Sequence, residues 1–519
     1  MNTFNNPLVL GPIFLPLAGA AISVIAVRYR TLQEIVAMLT SLLGWICSLG
    51  VLWANWQLGP QVYRIGGYPT PYGIILAPDM LSALFGVMAT TVSTAGVLYA
   101  LGCKDKCVQY PAFLPLFLCM TAGLSGSIYT GDIFTLFVFV ELMVMSSVVL
   151  VAISDNMLGV EAAIKYLLIS ALGSLFLLMG IGAIYATFGT LNVADIARLL
   201  STGDRPLLAQ AAAVMLMCAF LLKSAVFPFH FWQPDFHTTA PTPVHAVLSS
   251  VVVKAGVYWL IRLTTLMFTA EAPLIRALLV ILGLIGIFFG SLAALKTYDA
   301  KRMLAYSTFG QIGFILLGIG WGTPLALVGA IVYSFNHALI KSSLLMITGA
   351  IASRMPTKSA KLVDIGGAGQ NLVMHNRLYL IGGLALAGVP PLNGFISKVT
   401  LIQGGISAGS WIVLGLAVAA GLITLMYMLR TWQLIFQQPP AADPHLKAKG
   451  DSLLAPTLLI ALCVALGVFA SPLVDAATAT VKQISDSNIY IHNILGTDTT
   501  NATTGFKIAA PAVDAGKGG

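Results

Sequence analysis

Apolar stretches of about 20 residues, each long enough to cross a bilayer as a helix, recur along this chain with short polar connectors between them. Fourteen such runs are legible: 8–27, 32–54, 77–101, 111–129, 132–153, 161–187, 207–229, 241–265, 273–296, 301–320, 324–351, 378–404, 409–437 and 453–472. The runs within 111–153 and within 301–351 touch with almost no loop between them, and there hydropathy separates neighbours least well. After residue 472 the chain turns to Ser, Thr, Ala, Gly and Asp. Residues 473–519 are expected to form a loosely ordered tail that carries no chemistry.

Two runs are interrupted by proline in their bodies: 207–229 at Pro228, and 378–404 at Pro390 and Pro391, flanked by Gly388 and Gly394. Proline removes a main-chain donor and clashes with the preceding turn. Such breaks persist at membrane depth where they line a polar cavity. Interrupted helices at matching places in two halves of a chain point to an internally repeated transporter. The expected fold is an all-α polytopic membrane protein of about 14 transmembrane helices, with two inverted five-helix repeats, each containing a broken helix. The expected organisation is a three-helix segment over 1–110, a first repeat over 111–265, a second over 273–437, a final helix within 438–472 and the polar tail over 473–519. The likeness between the halves rests on hydropathy and breaks, not on residue identity.

Composition agrees with this pattern: 58% of the 519 residues are hydrophobic and 9% are charged, against about 25% charged in soluble domains. The net charge of +8 would suggest nucleic acid in a soluble protein, but in a membrane protein lysine and arginine gather in cytoplasmic loops, so no nucleic-acid partner is expected. Loops after odd-numbered runs carry 14 lysines and arginines; those after even-numbered runs carry four, Arg64, Arg198, Arg205 and Arg262. That bias puts the odd loops in the cytoplasm and both termini on the non-cytoplasmic side of a cell membrane. No basic residue precedes the first run, so it reads as a retained span and not as a secretory signal. Of six scattered cysteines only Cys103 and Cys107 are close together, which indicates neither a zinc site nor a disulfide framework.

The candidate chemistry lies in charges that hydrocarbon should exclude, at roughly 2.5–3.5 kcal/mol each at a helix centre. Glu141 is near the middle of 132–153, out of reach of either surface, and needs a cationic partner, for which Lys223 is the candidate. The alternative is a purely structural ion pair. Lys254 is about 20 Å into its span at 1.5 Å per residue, too deep to snorkel, and Lys398 follows the double-proline break with Ser397 beside it. His337 and Lys341 share a helix face at i and i+4, to which Ser334 adds polarity; their titrations should be coupled. His245, Lys165 and His230 are secondary relay candidates. Lys165 also reads as ordinary interfacial charge beside Glu161, and His230 and His237 could be loop groups at the broken end. There is no P-loop, HExxH or haem spacing. Converging oxygen ligands for a metal cation are also missing, so no cofactor or metal is expected. An interior rich in lysine and histidine suits protons.

Five segments in order, TGDIFTLFVFVELMVMSS, FLLKSAVFPFHFWQPDFHTTAPTPVHAVLSSVVVKAGVYWLIR, KTYDAKRMLAYSTFGQIGF, FNHALIKSSLLM and GVPPLNGFISKVTLI, resemble the antiporter-like subunits of respiratory complex I, membrane-bound hydrogenases and Mrp-type cation/proton antiporters. The likeness runs through residues 70–435. Within the family it is greatest to the D subunits of Mrp-type antiporters, on TGDIF and on lysine at 398. The resemblance implies a Glu141–Lys223 pair, a central Lys254, His337 and Lys341 in a linking span, and Lys398 at the exit. It further implies a transporter subunit rather than an enzyme in its own right, partnered by other membrane subunits and by protons and a monovalent cation, with sodium the expected one. A pump subunit of an NADH dehydrogenase or hydrogenase, a solute transporter and a structural scaffold are the alternatives.

Overall fold

The computed structural model describes residues 5–496 apart from 155, 204–205, 357, 368–371, 440–446 and 448. Apolar runs fold as helices because main-chain groups in hydrocarbon must be satisfied within their own segment. The first part holds α1 (Gly11–Ile25), α2 (Arg30–Leu58), a short antiparallel pair β1 (Tyr63–Arg64) and β2 (Ile75–Leu76), and α3 (Met80–Leu101). Next come α4 (Phe113–Tyr129), α5 (Ile133–Ala152), α6 (Met157–Phe188), α7 (Val193–Ser201) and α8 (Leu207–Lys223). After a non-helical stretch follow α9 (Gln233–Thr239), α10 (Thr242–Val247) and α11 (Val253–Arg262), with π-helical turns at Leu248–Val252 and Leu263–Met267 on either side of α11. The second part contains α12 (Ala272–Lys296), α13 (Ala300–Trp321), α14 (Pro324–Arg354), α15 (Leu362–Ile365), α16 (Val373–Ala387), α17 (Asn393–Ser407) and α18 (Trp411–Phe436). The chain ends with α19 (Leu454–Val468), α20 (Ser471–Ile484) and α21 (Ser487–Leu495).

Polar residues placed where runs begin act as N-caps, accepting from otherwise orphaned backbone N–H groups. Asp79 accepts from Ser82, Asp132 from Thr135, Asn156 from Gly159 and Asp299 from Arg302. Among the described residues ten helices are long and apolar enough to cross a membrane, or 11 if the bent pair α19–α20 is one span. The expected runs that fall outside these ten became short or broken helices. Runs 111–129 and 207–229 leave 17-residue helices, α4 and α8. Run 378–404 divides into α16 and α17, and 453–472 bends by 77° between α19 and α20.

Three sequence expectations need correction. The first break begins directly after Lys223, with Ala225 at a φ of +52°, and not at Pro228. Proline disfavours helix in the residue before it, and the unwinding extends back from there. Lys223 therefore ends α8 instead of lying within it. Arg262, counted above as a loop charge, is buried within the span Thr242–Met267. The segment expected to be a loose tail is helical as far as Leu495, because α20 and α21 bury an apolar face made of Leu473, Val481, Ile484, Tyr490 and Ile491. Residues 497–519 lie outside the described residues, as does Arg205, and of the His237 side chain nothing is described.

Helix α14 is the axis of the bundle, packed against α10, α13, α16, α17 and α19 with almost no surface of its own. Backbones approach closely between α12 and α13: a Cβ on Gly313 would stand 2.5 Å from the Gly283 carbonyl oxygen. Small residues permit this intimacy in membranes, where apolar side chains gain little over lipid.

Candidate functional site

Glu141 lies on α5, half-buried, on the face that also exposes Phe134, Val138, Met145 and Val149. Opposite it, α6 presents Ser170, Gly173 and Ser174, a stripe of small residues facing α8. Lys223 ends α8, where the carbonyl end of the helix dipole favours a cation. Its Nζ donates to the Ser170 carbonyl at 3.1 Å and to Ser174 Oγ at 3.0 Å. The Ser174 hydroxyl in turn donates to Glu141 Oε1. The direct Glu141–Lys223 pair expected from sequence is therefore a serine-bridged triad. The two bonds through Ser174 run from lysine toward carboxylate, and the hydroxyl can pass a proton in either direction by reorienting.

Lys254 lies in α11, fully buried, and its Nζ meets His337 Nδ1 of α14 at 2.7 Å. One turn further along α14, Lys341 is also fully buried and donates to Ser307 Oγ of α13 at 2.7 Å. Neither amine has a carboxylate within ion-pairing distance among the described residues. Unpaired buried ammonium groups are costly, so two adjacent lysines beside an imidazole form a site suited to holding and passing protons. When Nδ1 accepts from Lys254, a neutral imidazole carries its own proton on Nε2, and a proton taken up at one nitrogen can release another at the far side.

Beyond Lys341 the polar line continues. Tyr333 donates to Gln311 Oε1 at 2.6 Å, and the buried Tyr427 hydroxyl lies next to Ser307, Gln311 and Thr424. Asn336, beside His337, is locked to the second broken helix: its amide donates to the Asn393 carbonyl and to Ser397 Oγ, while Asn393 Nδ2 returns a bond to Asn336 Oδ1. Lys398 reaches back across that break. Its stem lies over Gly388, whose φ of +82° lets the chain turn there, and its Nζ donates to the Ala387 carbonyl at the end of α16. Both broken helices thus bring a lysine to a C-terminal helix end.

The secondary candidates stand elsewhere. Lys165 is 46% exposed, paired with Glu161 at 2.6 Å and with Asp235 at 3.2 Å on the surface. His230 packs among Phe227, Phe289 and Phe309 beside Pro228, and no hydrogen bond joins it to a lysine. His245 is fully buried in α10. Cys103, Asp105 and Asp451 bring a thiol and two carboxylates within 4.8 Å of one another at a bundle end. Their atoms are engaged by Tyr99, the Lys104 N–H and Lys358, and burial pushes the Asp451 carboxyl and the Cys103 thiol up.

Sequence reasoning missed Ser174, Ser307, Asn336 and Asn393. The stripe Ser170–Gly173–Ser174 on the helix packed against α8 is the one local signal that could have found a bridging group.

Residues 130–424 match the family model described as NADH:quinone oxidoreductase/Mrp antiporter, TM. The D subunit of a Na(+)/H(+) antiporter from Alkalihalophilus pseudofirmus is 29% identical over 94% of this chain and 99% of its own length. The N subunit of an NADH-quinone oxidoreductase from Desulforudis audaxviator is 32% identical over 79% of this chain and 85% of its own. Among solved structures, a chain of the Mrp complex from Dietzia superposes with a TM-score of 0.87 at 24% identity, covering 94% of this chain and 99% of that one. A chain of the membrane-bound sulfane sulfur reductase, an archaeal respiratory complex, also gives 0.87, at 27% identity over 94% and 100%.

Proposed function

Because this chain belongs to the NADH:quinone oxidoreductase/Mrp antiporter transmembrane family, we propose that it is the proton-translocating subunit of a hetero-oligomeric Mrp-type cation/proton antiporter. Sodium is the exchanged cation suggested by the names of its relatives. The observation that carries the relay is the contact between two buried bases, Lys254 Nζ and His337 Nδ1 at 2.7 Å, with no carboxylate paired to the lysine among the described residues. The chain is a transporter subunit rather than an enzyme in its own right, held in the plasma membrane.

Protons are taken up at Glu141, which lies at the lateral edge of the chain, and pass by Ser174 to Lys223. While the triad is closed, the carboxylate offsets the ammonium. When it opens, a buried cation stands uncompensated and its proton moves inward to Lys254. From there His337, Lys341 and Ser307 hand it toward Tyr427 and Gln311, and it leaves at Lys398. Water carries the steps between these groups. The driving force is supplied by partner subunits or by a cation gradient.

Counting α4, α8, α16–α17 and α19 as spans gives 14, with inverted repeats over spans four to eight and nine to 13. The matched lysines at the two breaks support that division. The loop-charge bias supports termini on the outer side. An impermeant maleimide applied to whole cells is then expected to label Tyr72→Cys, at an 86% exposed position, and to spare Met157→Cys, at an 88% exposed one, until the cells are permeabilised. The reverse pattern inverts the topology.

A second reading, a pump subunit coupled to electron transfer, is favoured by the 32% identity to an NADH-quinone oxidoreductase subunit. Co-purifying proteins decide between the two, since iron–sulfur proteins would accompany the chain only in the latter. For the relay itself, Glu141→Gln and Lys223→Ala are each expected to slow antiport in everted vesicles by roughly ten-fold or more, as loss of a proton-transfer group does, with assembly unchanged. Transport at the parental rate in both variants excludes the relay.

A further inference from the structure

A second buried polar cluster begins on the same helix as Lys254. In the regular α-helix Val253–Arg262, Lys254, Tyr258 and Arg262 follow at i, i+4 and i+8, so they lie along one face. Arg262 is 3% exposed, and its two terminal nitrogens clasp both oxygens of Asp79, which is 1% exposed. Arg262 Nε donates to the Tyr258 hydroxyl at 3.0 Å, and Nη2 to Ser82 Oγ at 3.0 Å. Ser82 Oγ lies 2.8 Å from the Tyr258 oxygen and 3.1 Å from Asp79 Oδ1.

These contacts fix the direction of the chain of hydroxyls. Asp79 accepts only, so the Ser82 proton points at Asp79. Arg262 donates only, so the Tyr258 oxygen accepts from it, and the Tyr258 proton is left to point at Ser82. The result is an oriented line, Tyr258 to Ser82 to Asp79, starting one helical turn from Lys254. Such an investment of buried charge and hydroxyls stands apart from the Glu141-to-Lys398 path and is unused by it.

We propose that this line is a second proton outlet, branching from the relay at Lys254 and ending at Asp79; the proposal rests on the relay reading above. A proton leaving the Lys254 ammonium reaches the Tyr258 oxygen across one helical turn through water. Tyr258's own proton passes to Ser82, and the Ser82 proton to the Asp79 carboxylate. The net change is a neutral Lys254 amine and a protonated Asp79; only N–H and O–H bonds break and form. Arg262, having lost its counter-charge, stays in place between the faces of Tyr258 and Tyr490, with its guanidinium carbon 5.2 Å and 5.1 Å from the ring centres. Loss of the proton from Asp79 restores the ion pair, and rotation of the two hydroxyls resets the line. Helices α20 and α21 cover this end, through Tyr490 and through Gln483, which accepts from the Met80 N–H at 2.8 Å. Discharge therefore requires them to lift.

The test is proton translocation by the purified whole complex in liposomes, read by a pH-sensitive dye and normalised to assembled complex. Ser82→Ala and Tyr258→Phe each remove one oxygen and are expected to slow flow through the branch about ten-fold, so that with the path to Lys398 still open the total rate falls to roughly half, while Ser82→Thr, which keeps the hydroxyl, retains most of it. Parental rates in both Ser82→Ala and Tyr258→Phe, with Glu141→Gln inactive, overturn the outlet and leave the relay standing. Parental rates in all three remove the relay as well. A lowered melting temperature of the complex with an unchanged rate per folded complex assigns the hydroxyls a structural role, and also overturns the outlet.

Discussion

Lys254→Ala is expected to reduce proton translocation to background, roughly 100-fold or more below the parent, which corresponds to a barrier increase of about 2.7 kcal/mol. The residue is fully buried and bonded to His337, and in the proposed relay both the path to Lys398 and the branch to Asp79 leave from it. Removing it separates Glu141 and Lys223 from every later group. The informative companion is Lys254→Arg. A guanidinium keeps the charge and much of the length, but it does not give up its proton in proteins. If Lys254 acts by exchanging a proton, arginine is as inactive as alanine; if it acts only as a fixed charge, arginine works. Transport by the arginine variant at near-parental rate removes Lys254 from the relay.

Arg262→Met should have the largest effect on assembly. Removing one member of a buried pair leaves an uncompensated charge, at a cost of about 3–5 kcal/mol, and Asp79 has little access to water. The variant chain is expected to be lost from the purified complex. The double variant Asp79→Asn/Arg262→Met removes both charges and keeps an acceptor for the Ser82 N–H, so assembly should largely return. With the outlet described above, the share of transport carried by the branch does not return with it. Co-purification yield and the melting temperature of the complex measure the first effect, and dye quenching measures the second. A single variant as stable as the parent, or a double variant no better than the single, contradicts this account of the pair.

The charged half of the site was legible because hydrocarbon makes lysine, glutamate and histidine conspicuous. Lys223, Lys254, Lys341 and Lys398 each stand out of an apolar run, and His337 was marked by its spacing to Lys341. The hydroxyl and amide half was not legible. Ser334 and Ser174 look alike in sequence, yet Ser334 bonds back to its own Ala330 carbonyl while Ser174 bridges an acid and a base. Serine in a helix commonly satisfies itself in the preceding turn, and only the neighbour across the interface distinguishes the two cases. Arg262 was misread for a related reason: a hydropathy window reports depth poorly near a span's end, and nothing local announces that Asp79, 183 residues earlier, waits beside it. The family was legible from five short segments, since charge, proline and glycine are the residues on which these helices depend. The order within α20 and α21 was hidden because a composition of Ser, Thr and Ala resembles a tail until its apolar face meets α3 and α7.

The burial of α14 has a consequence for how the chain is made. It is the least apolar of the ten long spans and, within its apolar window, 94% buried. Lipid is therefore a poor resting place for it. The ribosome delivers it before α16, α17 and α19, the helices that cover much of its surface. For the time needed to synthesise about a hundred further residues, its lysine and histidine must be shielded by α10 and α13 on one side and by the insertion machinery on the other. The buried lysine and histidine that place α14 in the proposed relay thus set the order in which its neighbours must arrive, and place the chain's greatest dependence on assisted insertion at its centre.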